Sequence, residues 1–258
     1  MKATLIRLQN SLIEATKPTR ETNESSGFMI LLTPSDPLVW LNYAVPTTDA
    51  TTDQVDEMIS VFRQADRTPR LEFFADLWPQ TIVSLENRGF VCEKRMPIMV
   101  LNRDEWQGLN HSHDVRSVDA SSYHEFNGVL QQAFGMASGD SEPNQIDPLD
   151  DPTFQRIAAG ATLASAAFIN GEVVGGGLGV GTPEIREIAG IGTSSDYRRQ
   201  GIASAVIAHL LDQFFQNGGE IAWLTPGDDS AQSVYSNLGF QSIAEQVVYG
   251  LPNLSDAK

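Results

Sequence analysis

Arg198-Arg199-Gln200-Gly201-Ile202-Ala203 is the stretch from which the fold is read. An apolar, glycine-containing run precedes it, Ile188-Ala189-Gly190-Ile191-Gly192-Thr193. Behind it, Ile202 to Phe215 places apolar residues at 202, 203, 206, 207, 210, 211, 214 and 215. That spacing predicts a strand, a tight basic turn and an amphipathic helix. Backbone N–H groups in such a turn, together with a helix N-terminus, form an anion site. Two adjacent arginines suit a pyrophosphate.

Working outward, Asn217-Gly218-Gly219 reads as a helix stop. Ile221 to Leu224 is a short buried strand, ended by Pro226-Gly227. Ala231 to Leu238 is a short helix, closed by Gly239 and followed by Phe240 and an apolar strand, Ile243 to Tyr249. Arg198-x-x-Gly201-x-Ala203 resembles the acyl-CoA loop of the GNAT superfamily of N-acetyltransferases. Ala231-x-x-x-Tyr235-x-x-Leu238-Gly239-Phe240 resembles that family's second signature, in the expected order. The resemblance implies an α/β GNAT fold: a mixed, twisted sheet flanked by helices on both faces and split where acetyl-CoA enters.

It also implies roles for particular residues. Tyr235 matches the tyrosine that hydrogen-bonds the thioester sulfur. Glu187, on the strand before the loop, matches the general base of many members, with Glu184 as the fallback or a water chain in its place. Ile191, Gly192 and Thr193 match the strand whose backbone pairs with the pantetheine arm. Arg198, Arg199, Gln200, Gly201, Ile202, Ala203 and Ser204 match the pyrophosphate loop. Two positions depart from the pattern. Ser195 replaces a frequent proline, and Asp228 replaces a frequent asparagine that contacts the cofactor, so a carboxylate there puts that contact in question.

Upstream, Val115 to Val118 reads as a strand, Ser121 to Phe134 as a helix, and Gly135 to Pro152 as a polar loop. Phe154 to Ala159 reads as a short helix. Asn170-Gly171 joins two apolar strands, Thr162 to Ile169 and Glu172 to Val180, as a hairpin. The glycines at 175, 176, 177, 179 and 181 fit no dinucleotide register and read as close backbone approach or a bulge. Residues 1–110 repeat the order of residues 187–249 in worn form. Leu38 to Val45 is a strand, Thr52 to Ala65 a helix, Leu71 to Phe74 a strand, Thr81 to Asn87 a helix, then Gly89-Phe90 and the strand Val91 to Leu101. The turn before Thr52 carries no glycine or arginine, and Leu85 stands in the place of Tyr235. The expected division is a smaller degenerate, non-catalytic GNAT-like domain at 1–110 and a catalytic domain at 111–258, with a linker near Asn110 to Asp114.

The chain has 258 residues, 41% hydrophobic and 19% charged, with a formal net charge of −16. That balance argues against nucleic acid as a partner and leaves the arginine pair as a local exception. Cys92 is the sole cysteine, so no internal disulfide forms. No long apolar run or leader is visible, so no membrane span and a cytoplasmic location are expected. His111-x-His113 lacks further ligands nearby, so no metal is expected. The implied activity is acetyl transfer from acetyl-CoA to a primary amine, small or peptidic, by direct transfer in a ternary complex. A homo-oligomer is compatible with that reading. An acyl-CoA-binding sensor or interaction protein without turnover is the alternative.

Overall fold

The structure, a computed structural model, describes residues 1–34, 36–135 and 147–252. Contacts divide the chain into two compact units. The first contains residues 1–99 and 225–227 with the last strand from Ser242; the second contains 100–224 and 228–241. The first of the contact boundaries between them lies at Met99/Val100.

The first unit opens with α1 (Lys2–Thr16), which buries Leu5, Leu8 and Ile13. β1 (Glu21–Ser25) and β2 (Phe28–Leu32) form an antiparallel hairpin. Its two turn residues, Ser26 and Gly27, have φ of 52° and 83°, the left-handed pair that matches strand twist. None of these three elements is among the segments expected from sequence, although Ser26-Gly27 carries a turn signal.

The strand expected from Leu38 begins later, as β3 (Tyr43–Pro46), after a 3₁₀ turn at Val39–Leu41. Side chains hold that turn. Asn42 donates to the carbonyls of Asp36 and Leu38, both at 2.8 Å, and accepts from the Thr33 N–H at 2.8 Å. Such local bonds compete with a sheet ladder. α2 (Thr52–Gln64) carries a capping box, Thr51 with Gln54, and buries Val55, Met58, Ile59 and Phe62. β4 (Arg70–Phe74), α3 (Pro79–Glu86) and β5 (Val91–Asn102) follow.

The second unit contains β6 (Asp114–Ser117), α4 (Tyr123–Ala133), α5 (Pro152–Ala158), β7 (Thr162–Ile169) and β8 (Glu172–Gly181). β9 (Ile185–Thr193), α6 (Ile202–Gln216), β10 (Ile221–Leu224) and α7 (Asp229–Asn237) complete it. The loop expected at 135–152 lies mostly outside the described residues. The strand order is β10-β9-β8-β7-β6. β6 to β9 are antiparallel neighbours, and β10 runs parallel to β9.

Glycines bring the helices close to this sheet. A Cβ on Gly175 would meet Ile202 of α6, and one on Gly177 would meet Val206 of α6. A Cβ on Gly176 would meet Phe126 of α4. Successive strand residues face opposite ways, so α6 and α4 cover opposite faces. The expected mixed sheet with helices on both faces is what the unit shows.

Two polar side chains, one buried and one half-buried, knit this unit. Arg186 donates to the carbonyls of Gly179 (2.8 Å), Gly160 (3.0 Å) and Ala161 (3.2 Å). Burial pulls its pKa down, with Arg156 adding to the effect. The imidazole of His209 sits against Ser165 and Gln213, with its Nδ1 at 2.8 Å from the hydroxyl of one and the amide nitrogen of the other. Ser165 is wholly buried. Burial, the largest cause, holds His209 below its ordinary 6.5, Asp212 opposing and His111 adding.

The last strand, β11 (Gln241–Gly250), belongs with the first unit over Ser242–Gly250, where it lies between β4 and β5. It pairs antiparallel with β4 from Gln246↔Phe74 to Gly250↔Arg70. Its Val247 and Tyr249 are fully buried with Phe28, Met58, Phe62, Phe73 and Leu85. The Tyr249 hydroxyl donates to Glu86 at 3.0 Å.

Two tests follow from this packing. A protein cut to residues 111–258 leaves β11 without β4 and exposes the apolar face of Val247 and Tyr249. It should aggregate, as read by size-exclusion chromatography; a soluble monomer with a cooperative melt would refute the dependence. His209 supplies the second. Its folded-state pKa is depressed, so its contribution is present above about 6.5 and is lost as pH falls through the folded value. The fall in melting temperature from pH 7 to pH 5 should therefore be shallower in His209→Gln than in wild type.

Candidate acyl-CoA site

Strand β9 leads into the site. Its parallel register with β10 covers Ile185↔Ile221, Ala222 with Arg186, and Glu187↔Trp223. β9 then continues for six residues, Ile188 to Thr193, past that register. On its other edge, β9 is bulged. Gly176 pairs with Gly192 and Leu178 with Ala189, so Gly190 and Ile191 together oppose Gly177. Gly190 takes a φ of +60°. A bulge bends a strand and re-aims its groups; here it sits where the register with β10 has ended.

The chain then turns twice through the left-handed region, at Arg199 (φ 62°) and Gly201 (φ 82°). Gly201 caps α6, whose first turn carries no acidic residue. The leading N–H groups of a helix lack partners within it and carry the positive end of its dipole. Arg198 is held beside them by an Nε–H donated to the Thr193 carbonyl at 3.2 Å. Gln200 donates its side-chain amide to the Asp196 carbonyl at 3.3 Å. Its own carbonyl lies 2.8 Å from the His113 Nε2.

A cavity of about 360 Å³ opens over this turn. Ile191, Gly192 and Thr193 of β9 line it, as do Arg198, Arg199, Gly201, Ile202, Ala203 and Ser204. Ala133 of α4 and Ser230 and Val234 of α7 close it. The structure therefore brings nine of the sequence-selected residues to one cavity. Gln200, Glu187 and Tyr235 are not among its lining residues. Glu187 stands at the last paired position of β9 and β10. Tyr235 is on α7 one residue after the lining Val234.

Tyr235 packs edge-on against Phe240, with ring centroids 6.2 Å apart. Burial, and secondarily the Asp228 carboxylate, push its phenol pKa up. A phenol, with an ordinary pKa of about 10, is protonated at neutral pH even without that shift. Asp228 has a structural occupation. Its Oδ1 accepts the Ala231 N–H at 2.8 Å and caps α7. This is the ordinary use of an aspartate at such a position.

Sequence patterns missed Ala133, Ser230, Val234 and Tyr197 of the cavity lining, and also His113. The first three are ordinary helix residues without a local signature. His113 lies 87 residues from the carbonyl it meets, a separation that no local pattern encodes.

Residues 130–240 match the model of the acetyltransferase (GNAT) family. The chain carries a GNAT domain. Similar solved structures extend over both units. A GCN5-related N-acetyltransferase from Kribbella flavida is 22% identical, covers 98% of each chain and has a TM-score of 0.77. A GCN5-related N-acetyltransferase from Sphaerobacter thermophilus is 15% identical over 97% of this chain and 92% of that one, with a TM-score of 0.65. A tandem GNAT protein from the clavulanic acid biosynthesis pathway is 10% identical, covers 88% of this chain and 79% of that one, and has a TM-score of 0.57. At these identities the likeness is one of fold. No curated protein matches the chain. Among the described residues no helix is long and apolar enough to cross a membrane. No group of three or more His, Cys, Asp or Glu side chains among them is placed to hold a metal.

The turn yields a direct test. Gly201→Glu forces a side chain onto a left-handed backbone and adds negative charge at the cavity wall. Acetyl-CoA affinity measured by calorimetry should fall at least about tenfold in this variant. Unchanged affinity would remove the turn from the site.

Proposed function

We propose that the protein is an N-acetyltransferase that moves the acetyl group of acetyl-CoA to a primary amine by direct transfer in a ternary complex. The observation that carries this reading is the cavity over the left-handed turn. One wall is helix N-terminus and arginine; the other is the bulged strand continuing past its parallel neighbour. A pyrophosphate would sit against the N–H groups of residues 201–204 and the two arginines. The pantetheine arm would follow Ile191 to Thr193, as a third strand edge.

This places the thioester toward Glu187 and α7. The amine nitrogen attacks the thioester carbon and the carbon–sulfur bond breaks. Glu187, directly or through water, takes the proton the amine must lose. Tyr235, a phenol that is protonated at neutral pH, gives its proton to the departing sulfur. Holding both reactants in one cleft supplies much of the rate.

Residues 1–110 are proposed to be a degenerate, non-catalytic copy. The helix ends support this kinship. The Tyr235 carbonyl accepts the N–H groups of Leu238 and Phe240, and the Leu85 carbonyl accepts those of Arg88 and Phe90. Gly239 (φ 98°) and Gly89 (φ 83°) complete matching turns. The chemistry differs. The N-terminus of α2 is closed by Thr51 and carries Asp53 in its first turn. Asp49 accepts the N–H of Gln80 at 3.0 Å at the start of α3. Leu85 is wholly buried. An anion would meet the protein's own caps and carboxylates there.

Tyr235→Phe removes the hydroxyl and keeps the ring against Phe240. Thiol release from acetyl-CoA, run against a panel of amines, amino acids, polyamines and peptide N-termini, should show kcat roughly ten- to a hundredfold lower. The KM for acetyl-CoA should change little, because the lost bond strengthens as charge develops on sulfur. Wild-type kcat in the folded variant would end the role of Tyr235. Binding of acetyl-CoA with no thiol release across the panel would favour a sensor over an enzyme.

A further inference from the structure

We infer that His113 is a positioning residue for the acyl-CoA pyrophosphate, acting through the 200–201 peptide. This rests on the acyl-CoA reading of the cavity and adds to it a residue outside the cavity wall. The Nε2 of His113 lies 2.8 Å from the Gln200 carbonyl oxygen. A carbonyl only accepts, so Nε2 carries the hydrogen and donates it. It does so both in the neutral Nε2–H tautomer and in the imidazolium, so the bond survives a change of charge.

The peptide that follows is planar and trans. Its carbonyl and its N–H therefore point in opposite directions. With the Gln200 carbonyl turned to His113, the Gly201 N–H is presented on the other face of the turn. Gly201 lines the cavity, and His113 is not among its lining residues. The histidine thus orients one of the backbone donors that the pyrophosphate would use.

The bond matters because this peptide is otherwise easy to rotate. Gly201, at φ of +82°, accepts either sign of φ at little cost. Nothing about a glycine at that position prevents the N–H from swinging out of the donor array. A Cβ at Gly201 would lie 3.5 Å from the His113 Nε2, so the ring also packs over the turn's outer side. His111, whose ring stacks with that of His113 at 6.3 Å, borders it.

The test uses the full-length protein and acetyl-CoA itself, with calorimetry for affinity and a thermal melt for folding. His113→Ala should raise the acetyl-CoA Kd roughly three- to tenfold, the range for one lost hydrogen bond, with the melting temperature little changed. His113→Gln, whose amide reaches about as far as Nε2 and donates similarly, should return Kd to within about twofold of wild type. Wild-type affinity in His113→Ala would overturn the inference. So would an affinity loss that His113→Gln fails to restore, because the ring rather than the donated bond would then be responsible. A loss matched by a large fall in melting temperature in both variants would also overturn it, making His113 a folding residue. Failure of the wild-type protein to bind acetyl-CoA would instead strike the acyl-CoA reading.

Discussion

The passage from β9 into α6 constrains the rest of the second unit. Within a few residues the chain must leave a strand, reverse through two left-handed residues and start a helix with its N–H groups facing open space. Arg199 and Gly201 supply the left-handed backbone. Thr193 and His113 hold the outer side of the turn through Arg198 and the Gln200 carbonyl. The close approach of α6 to β8 is equally demanding. It is met by glycines at 175 and 177, where a Cβ would stand 2.8 Å from Ile202 and a tight 3.3 Å from Val206.

Charge is distributed so that this turn stands apart from the rest of the molecule. The chain carries a net −16, which opposes a polyanionic ligand over most of its surface. At the cavity the balance is reversed by backbone dipoles and Arg198 and Arg199, with no acid in the first turn of α6. The nearest departure from the family pattern, Asp228, spends one carboxylate oxygen on the α7 cap. Its charge still reaches Tyr235, where it adds to burial in raising the phenol's pKa.

The two units share a local grammar and diverge in what they do with it. Both end a helix with a carbonyl accepting two N–H groups around a left-handed glycine. In the first unit the N-termini of α2 and α3 are closed by Thr51 and Asp49. In the second, the α6 N-terminus has only glycine as its cap. The α2 N-terminus is thus closed by a side chain, whereas that of α6 opens on the cavity. The chain's last strand, packed beside β4, makes the first unit's core depend on the chain's end.

Local patterns in the sequence were enough for the βα turn, the Asn170-Gly171 hairpin, the amphipathic α6 and nine cavity residues, because each is encoded by neighbours a few positions apart. The same patterns failed at Leu38 to Leu41, where Asn42 and Asp36 hydrogen bonds outweighed strand propensity. They also missed α1 and the Ser26-Gly27 hairpin, elements whose apolar faces become interpretable against the strands they cover. Tertiary packing alone placed β11 between β4 and β5, brought Ser230 and Val234 across the cavity from β9, and delivered His113 to a carbonyl 87 residues away. These are long-range contacts, paid in loop-closure entropy and repaid by burial, and no short window of residues contains both partners.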